Sequence, residues 1–455
     1  MRRLTLIASL LCLSAIIRAQ GDTLSLNECC DLALRQNKQM AIASLETLGA
    51  GYQAKSLRAN FFPSFTANGT ALYSNANGSL SIAGGNLPLF LADGSMGGGF
   101  AYFPGADIDY KVDGVFLAGV RLEQPLYTGG KIRAAYEMSK LGVEASRLNQ
   151  RLKAEEVLVE TVKAYTQVVE AREMLEVANR YNETLLGLAR DVENACRHGL
   201  TTRNDVLKVQ VRLNESELNI RRSENALRLA SMSLCHLLGL PLATSIAIDG
   251  ALPEVQVTAS EAYAQVASRP EYGMLEQQVA IAGQQVRLVR SEKLPQVGVT
   301  GGYSYMHGVK VNGEPLFDKG SFSVLLNLSV PLYHFGERAN KEAAARTKLE
   351  EARLQQDDAA EQMLLEQSLA LDNLDEAQLE AELADRSLQQ AAENMRVSRS
   401  HYDAGLETLS DHLEAQTLWQ QAYERQVAAR CRLYLSRLEY LKASGQLEEE
   451  FPQLQ

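Results

Sequence analysis

Two periods alternate along this chain, and the alternation occurs twice. Val297, Val299, Gly301, Tyr303 and Tyr305 alternate with Gln296, Gly298, Thr300, Gly302 and Ser304. That period of two predicts a strand with one apolar face. Phe322, Val324, Leu326, Leu328 and Val330 predict a second, set against Ser321, Ser323, Asn327 and Ser329 and interrupted only by Leu325. Earlier in the chain, Phe65, Ala67, Gly69, Ala71 and Tyr73 predict one strand, and Phe116, Ala118, Val120 and Leu122 another. Around these stretches the spacing becomes helical. Leu141, Ala145, Leu148, Leu152, Val159, Val162 and Val169 follow a three-four spacing. Val206, Leu213, Ile220, Leu227 and Leu234 recur every seven, as do the small residues Ala415, Ala422, Ala429, Ser436 and Ala443. These are coiled-coil seams, the last narrow enough for close helix approach.

The predicted helices are long. Residues 130–198 form one run of roughly 70 residues, about 105 Å at 1.5 Å per residue. Residues 204–238 return over about 52 Å, and a helix over 26–60, also about 52 Å, supplies the other half if the two stack end to end. Between the long helix and its return lies Gly199-Leu200-Thr201-Thr202-Arg203-Asn204-Asp205. Gly is favoured just past a helix end and Thr just before the next, so the stretch reads as a tight turn.

The whole arrangement is duplicated. Gly-Leu-x-Thr-x-x-Asp-x-Leu-x-x-Gln at 199–210 returns at 405–416, an offset of 206. Phe116 and Phe322, Pro125 and Pro331, Gly130 and Gly336, and Gly239 and Gly445 share that offset. Pro63 and Pro295 lie 232 apart, so the first copy carries 26 extra residues before Pro125. Each copy reads helix, strand, loop, strand, long helix, turn, helix. Residues 20–258 are the first repeat and 259–455 the second, a long unit used twice.

Composition adds a compartment. Met1-Arg2-Arg3, an apolar stretch over 4–17 and Arg18-Ala19 predict a signal peptide over 1–19. Its loss removes Arg2, Arg3 and Arg18 and takes the formal net charge from -11 to -14. Such an acidic exported chain is a poor nucleic-acid binder. Beyond it, no run approaches the ~18 continuous apolar residues of a membrane helix. Cys29, Cys30, Cys196, Cys235 and Cys431 are odd in number and scattered, which is neither a disulfide framework nor a metal spacing. The histidines (198, 236, 307, 334, 401 and 412) show no ligand spacing. Asp107–Gly114 resembles a calcium loop broken by Lys111, and is expected in an exposed outer loop. No cofactor, metal or catalytic cluster is predicted.

Sixteen of the 29 aromatic residues fall within 61–127 and 295–333, around the strands. Strands of about ten residues with aromatic girdles suit a transmembrane barrel rather than a half-buried soluble sheet. Four strands cannot close alone, because about eight is the smallest barrel. Two copies would give eight strands and a plugged interior, three would give twelve and a lumen.

The sequence resembles the TolC family of outer-membrane efflux proteins over nearly the whole mature chain. The resemblance rests on LSLNECCDLALRQN at 24–37, the paired PLYTGGK and PLYHFGE junctions, LLGLP at 237–241, and the two Gly-Leu-x-Thr turns. It implies a mainly helical chain with a β-barrel portion. Duplicated coiled-coil hairpins would form a periplasmic tunnel, and four strands per chain a trimeric twelve-stranded outer-membrane barrel. Such a homotrimer is a passive exit duct, not an enzyme, and works with a periplasmic adaptor and an inner-membrane transporter. Gly199, Leu200, Thr202, Gly405, Leu406 and Thr408 would form adaptor-binding tips. Asp205, Tyr402, Asp411 and Glu414 would line or latch the aperture, with Glu407 where a relative has arginine. Pro125, Gly130, Pro331 and Gly336 would be strand-to-helix junctions. Drug efflux, metal export and protein secretion all suit such a duct. A secreted coiled-coil scaffold or adhesin would explain the heptads but not the duplicated strands.

Overall fold

The computed structural model describes residues 23–92, 94–253, 266–316 and 318–454. The predicted signal peptide and the predicted boundary between the repeats at 258/259 lie outside them. The chain divides into two units: 1–50, 141–279 and 350–455 in one, 51–140 and 280–349 in the other. The first is helical, and the second holds the strands.

Both repeats keep one order of elements. In the first, helices α1 (Leu26–Gln36) and α2 (Lys38–Ala59) precede strand β1 (Ser64–Leu72). Strand β5 (Ala106–Tyr127) then leads into helix α3 (Lys131–Arg197) and its return α4 (Arg203–Leu237). In the second, α5 (Pro270–Ser291), β6 (Gln296–Val311), β8 (Lys319–Ser329), α6 (Glu337–Asp403) and α7 (Leu409–Ala443) follow the same path, with a two-residue β7 (Glu314–Pro315) between β6 and β8. The outgoing helices have 67 residues each and the returning ones 35, the equality that a fixed offset requires.

The helix predicted over 26–60 is broken. Asn37 is extended (φ -64°, ψ 135°). Its amide donates to the Leu237 carbonyl at 2.9 Å and its Oδ1 accepts from the Gln39 N–H at 2.7 Å. A short polar side chain that satisfies neighbouring backbone groups competes with the helix, and here it ends α1 and caps α2. Gly239 (φ +71°) packs against the same corner, where a Cβ would stand 2.6 Å from the Gln36 carbonyl oxygen.

The core of the helical unit gathers Leu26, Cys29, Cys30 and Ala33 of α1 around Leu158, Val162, Tyr165 and Val169 of α3. Leu234, Leu238, Tyr434, Leu438 and Phe451 complete it. The buried Tyr165 hydroxyl donates to Asp249 and accepts from the Gly250 N–H at 3.1 Å, tying the segment after α4 to this core. Ala415, Ala422, Ala429, Ser436 and Ala443 are all buried, as the sevenfold spacing requires. Burial also pushes the Cys29, Cys30 and Cys431 thiols up to about 12, so they act as small apolar side chains.

The sheet runs β1–β5–β6–β8, antiparallel throughout. Its register aligns the predicted alternations. Phe65 faces Leu122, Ala67 faces Val120, Val120 faces Tyr303 and Tyr303 faces Phe322, so the apolar positions share one face. The opposite face carries Asn68, Thr70, Arg121, Glu123, Thr300 and Ser304, with Leu117 and Leu325 among them, and borders a half-open hollow of about 480 Å³. The polar face is therefore concave. The outer edges of β1 and β8 pair with no other strand among the described residues.

The extra residues of the first repeat are ordered, not a plain loop. Strand β2 (Asn77–Ile82) pairs with the first half of β5, and β3 (Gly85–Phe90) with β4 (Met96–Phe103) continues that hairpin in register beyond a short break. Residues 107–114, predicted as outer loop, belong to β5. Ile108, Tyr110 and Val112 alternate there with Asp107, Asp109 and Lys111, a period that the acidic residues obscure. The hairpin leaves and re-enters at a neck where a Cβ on Gly105 would lie 2.9 Å from the Gly84 nitrogen.

Candidate functional site

The two hairpin turns share one construction. Gly199 (φ +70°) and Gly405 (φ +75°) take the left-handed conformation after α3 and α6. The Leu200 N–H reaches back to the Ala195 carbonyl at 2.9 Å, and the Leu406 N–H to His401 at 2.8 Å. The glycine N–H groups bond Cys196 and Tyr402 at 3.1 and 3.0 Å. These are Schellman helix ends. Gly239 and Gly445 close the returning helices in the same way.

Such ends usually press the residue after the glycine onto the preceding turn. Leu240, in that position after α4, does pack against the core. Leu200 and Leu406 do not: they stand 81% and 78% exposed. Capping accounts for the glycines and threonines at the tips, but not for two presented leucines.

Thr202 and Thr408 start the returning helices with matching capping boxes, to Asp205 and Asp411. Asp205 accepts from the Thr202 and Thr201 hydroxyls at 2.7 and 2.9 Å and from Lys208 at 3.3 Å. These contacts, the Thr202 hydroxyl first, hold its carboxyl down to about 2. Asp411 accepts from the Thr408 hydroxyl at 2.6 Å. Asp411 and Glu414 share the exposed face of α7, opposite the buried Leu409, His412, Leu413 and Gln416.

The two tips pack together. Tyr181, Leu185, Leu188 and Val192 of α3, Val206 and Val209 of α4, and Leu409 and Leu413 of α7 form one apolar cluster, with Tyr402 against it. Lys208 also donates to Ser410 across the tips at 3.1 Å. Of the expected aperture residues, Asp205 is held within its own turn, and Tyr402 lies near it without a hydrogen bond between them. Tyr402 instead stacks on His412, with ring centroids 5.2 Å apart and planes at 6°. Glu407 likewise turns inward, accepting from Ser398 at 2.8 Å.

His412 shows no ligand spacing in the sequence. It lies in a buried chain of hydrogen bonds, with Nδ1 3.1 Å from Ser398 Oγ and Nε2 2.9 Å from Gln416 Nε2. Burial lowers its pKa. The i, i+4 spacing of His412 and Gln416 was the available signal.

At the junctions, Pro125 sits at a bulge that ends β5, and Pro331 follows the end of β8. Gly130 (φ +89°) and Gly336 (φ +83°) precede the long helices. The tighter glycine is Gly129 (φ +63°), where a Cβ would meet the Ser291 carbonyl oxygen at 2.7 Å. Among the described residues no group of three or more His, Cys, Asp or Glu is placed to hold a metal ion.

The family described as "Outer membrane efflux protein" matches residues 29–240 and 262–446. The alkaline protease secretion protein AprF of Pseudomonas aeruginosa is 26% identical over 273 residues, 56% of this chain and 55% of AprF. Protein CyaE of Bordetella pertussis is 25% identical over 338 residues, covering 73% of this chain and 71% of CyaE. The Campylobacter jejuni CmeC outer membrane channel superposes with a TM-score of 0.74 at 19% identity, over 93% of this chain and 86% of that one. The fold is thus that of outer-membrane channels.

The capping boxes carry a measurable load. Thr202→Ala is expected to cost about 1 kcal/mol and to let the Asp205 pKa rise back toward 3.8. In the parent, the Asp205 contribution is present above pH 3.8 and is lost as pH falls toward about 2. Acid melting curves of parent and variant should therefore converge over that window.

Proposed function

Because the chain belongs to the outer membrane efflux protein family, we propose that three copies form an exit duct through the outer membrane. The duct would serve a tripartite efflux or type I secretion system. The protein is an outer-membrane protein with a periplasmic extension, and its family and fold are those of channels rather than enzymes.

The observation that carries this reading is the sheet. Its apolar face suits lipid, its concave polar face suits a water-filled lumen, and its two free edges demand partners. Three copies give twelve strands and a lumen, which two copies would fill with side chains. The helices carry matching unfilled positions. Leu207, Leu218 and Leu229 recur every eleven along α4 and are exposed, as are Leu354 and Leu365 on α6, eleven apart. These stripes suit neighbouring copies. A scaffold without a channel would leave the polar concave face without a role.

The tips are read as the adaptor contact, with Leu200 and Leu406 as anchors and Gly199 and Gly405 admitting close backbone approach. An inner-membrane transporter would load the duct. Under threefold symmetry Asp411 and Glu414 would form an acidic ring at the aperture, favouring cations.

Native mass spectrometry in detergent should show three chains, and a stable monomer with all four barrel strands formed would overturn the assembly. Gly199→Trp with Gly405→Trp should abolish efflux at unchanged trimer yield, and unaltered efflux would return both turns to capping alone. Asp411→Asn with Glu414→Gln should weaken pore block by trivalent cations in planar bilayers. Block as strong as the parent's would place those carboxylates outside the conduction path.

A further inference from the structure

We propose that His412 locks the second hairpin tip as a neutral imidazole, and that its protonation releases the tip. The role as a gate rests on the exit-duct reading, while the lock itself rests on the geometry alone.

With the Gln416 amide turned so that its Nε2 faces the ring, the hydrogen bonds admit one proton arrangement. Glu407 Oε1, a carboxylate oxygen, accepts from Ser398 Oγ at 2.8 Å, which uses the only proton of that hydroxyl. Ser398 therefore receives the Nδ1–H of His412 at 3.1 Å. At the other nitrogen, Gln416 Nε2 stands 2.9 Å away and is a donor only, so His412 Nε2 must carry no proton. Every polar contact of the ring is satisfied by the neutral form alone. A second proton would set two N–H groups against each other in a pocket where His412 is 3% exposed. Gln416 Oε1, which could receive that proton, is buried facing no partner. Presenting it to the ring takes a half-turn of the amide, which carries the NH2 group to the buried place where Oε1 has no partner.

The joint ties the tip together. It links Ser398 and Tyr402 of α6, Glu407 of the turn, and His412 and Gln416 of α7. The charges that bear on it come from each neighbouring element. Glu407 and Asp403 favour protonation, and Arg399 opposes it. His401 approaches Glu407 to 3.9 Å, and Asp411 caps α7 beside the ring. From the first hairpin, Asp191 and Asp205 act on the stacked Tyr402, and Lys208 neutralises part of Asp205. Burial outweighs these charges and keeps the His412 pKa below 6.5. A depressed histidine pKa means that the unfolded tip binds the proton more readily. The stabilisation is therefore complete above 6.5 and declines as pH falls below it.

The test uses the full-length channel in lipid vesicles. Deuterium exchange over residues 398–416, corrected for intrinsic rates, should show protection that holds above about pH 6.5 and falls below it. The loss should be roughly tenfold per pH unit at its steepest, because one proton is linked. His412→Gln, which keeps a donor and an acceptor but does not titrate, should remove this response. Ser398→Ala, which keeps the ring but removes its acceptor, should lose protection already at neutral pH. An unchanged acid response in His412→Gln, or parental protection in Ser398→Ala, would overturn the lock. In planar bilayers the parent's open probability should rise severalfold on acidification, and that of His412→Gln should not. Exchange that responds while conductance stays flat in both would keep the lock and overturn the reading of the tips as a gate.

Discussion

Unpaired backbone at two strand edges is the constraint on which the rest of this structure depends. A strand edge in lipid presents N–H and C=O groups that water cannot reach, and each unsatisfied group there costs several kcal/mol. Among the described residues the long ladder runs through β1, β5, β6 and β8, with β1 exposing one edge and β8 the other. No rearrangement of one copy closes that gap, because antiparallel closure needs more strands than the repeat encodes. The duplication makes the same point from the helical side. Each repeat delivers two strands and one hairpin, so whatever number of copies completes the wall also fixes how many hairpins stand in the helical part.

Much of this was legible in the sequence because a fixed offset preserves geometry. Two 67-residue helices and two 35-residue returns follow from an interval of 206 that holds from Phe116 to Gly239. The face of each strand was legible too, since register pairs Phe65 with Leu122 and Tyr303 with Phe322, all from the predicted apolar sets. What failed was local. Asn37 looks like a tolerable helix residue until the Leu237 carbonyl, 200 positions away, offers its side chain a partner. Residues 107–114 were read for their charges, and charges on the polar face of a strand hide its period.

The tips divide in the same way. Glycine at a left-handed position and threonine before a helix act through neighbours within a few residues, so Gly199, Thr202, Gly405 and Thr408 announce themselves. The role of His412 depends on Ser398, fourteen residues earlier and across the turn, and on a burial that no spacing rule reports. Asp205, by contrast, announces its local partners: Thr201, Thr202 and Lys208 all lie within four residues of it.

The neck at Gly84 and Gly105 sets where this architecture tolerates change. Because β3 and β4 continue the β2–β5 hairpin beyond a break at Gly84 and Gly105, they form its far end and bear on nothing further along the sheet. Their length can change without moving a single rung of the β1–β5 or β5–β6 ladders. An insertion inside β6 or β8 has no such freedom, since one added residue there turns every later side chain of that strand to the other face. Added length at the strand end of this chain is thus accommodated beyond the neck of the first repeat, and the interiors of β6 and β8 hold the register.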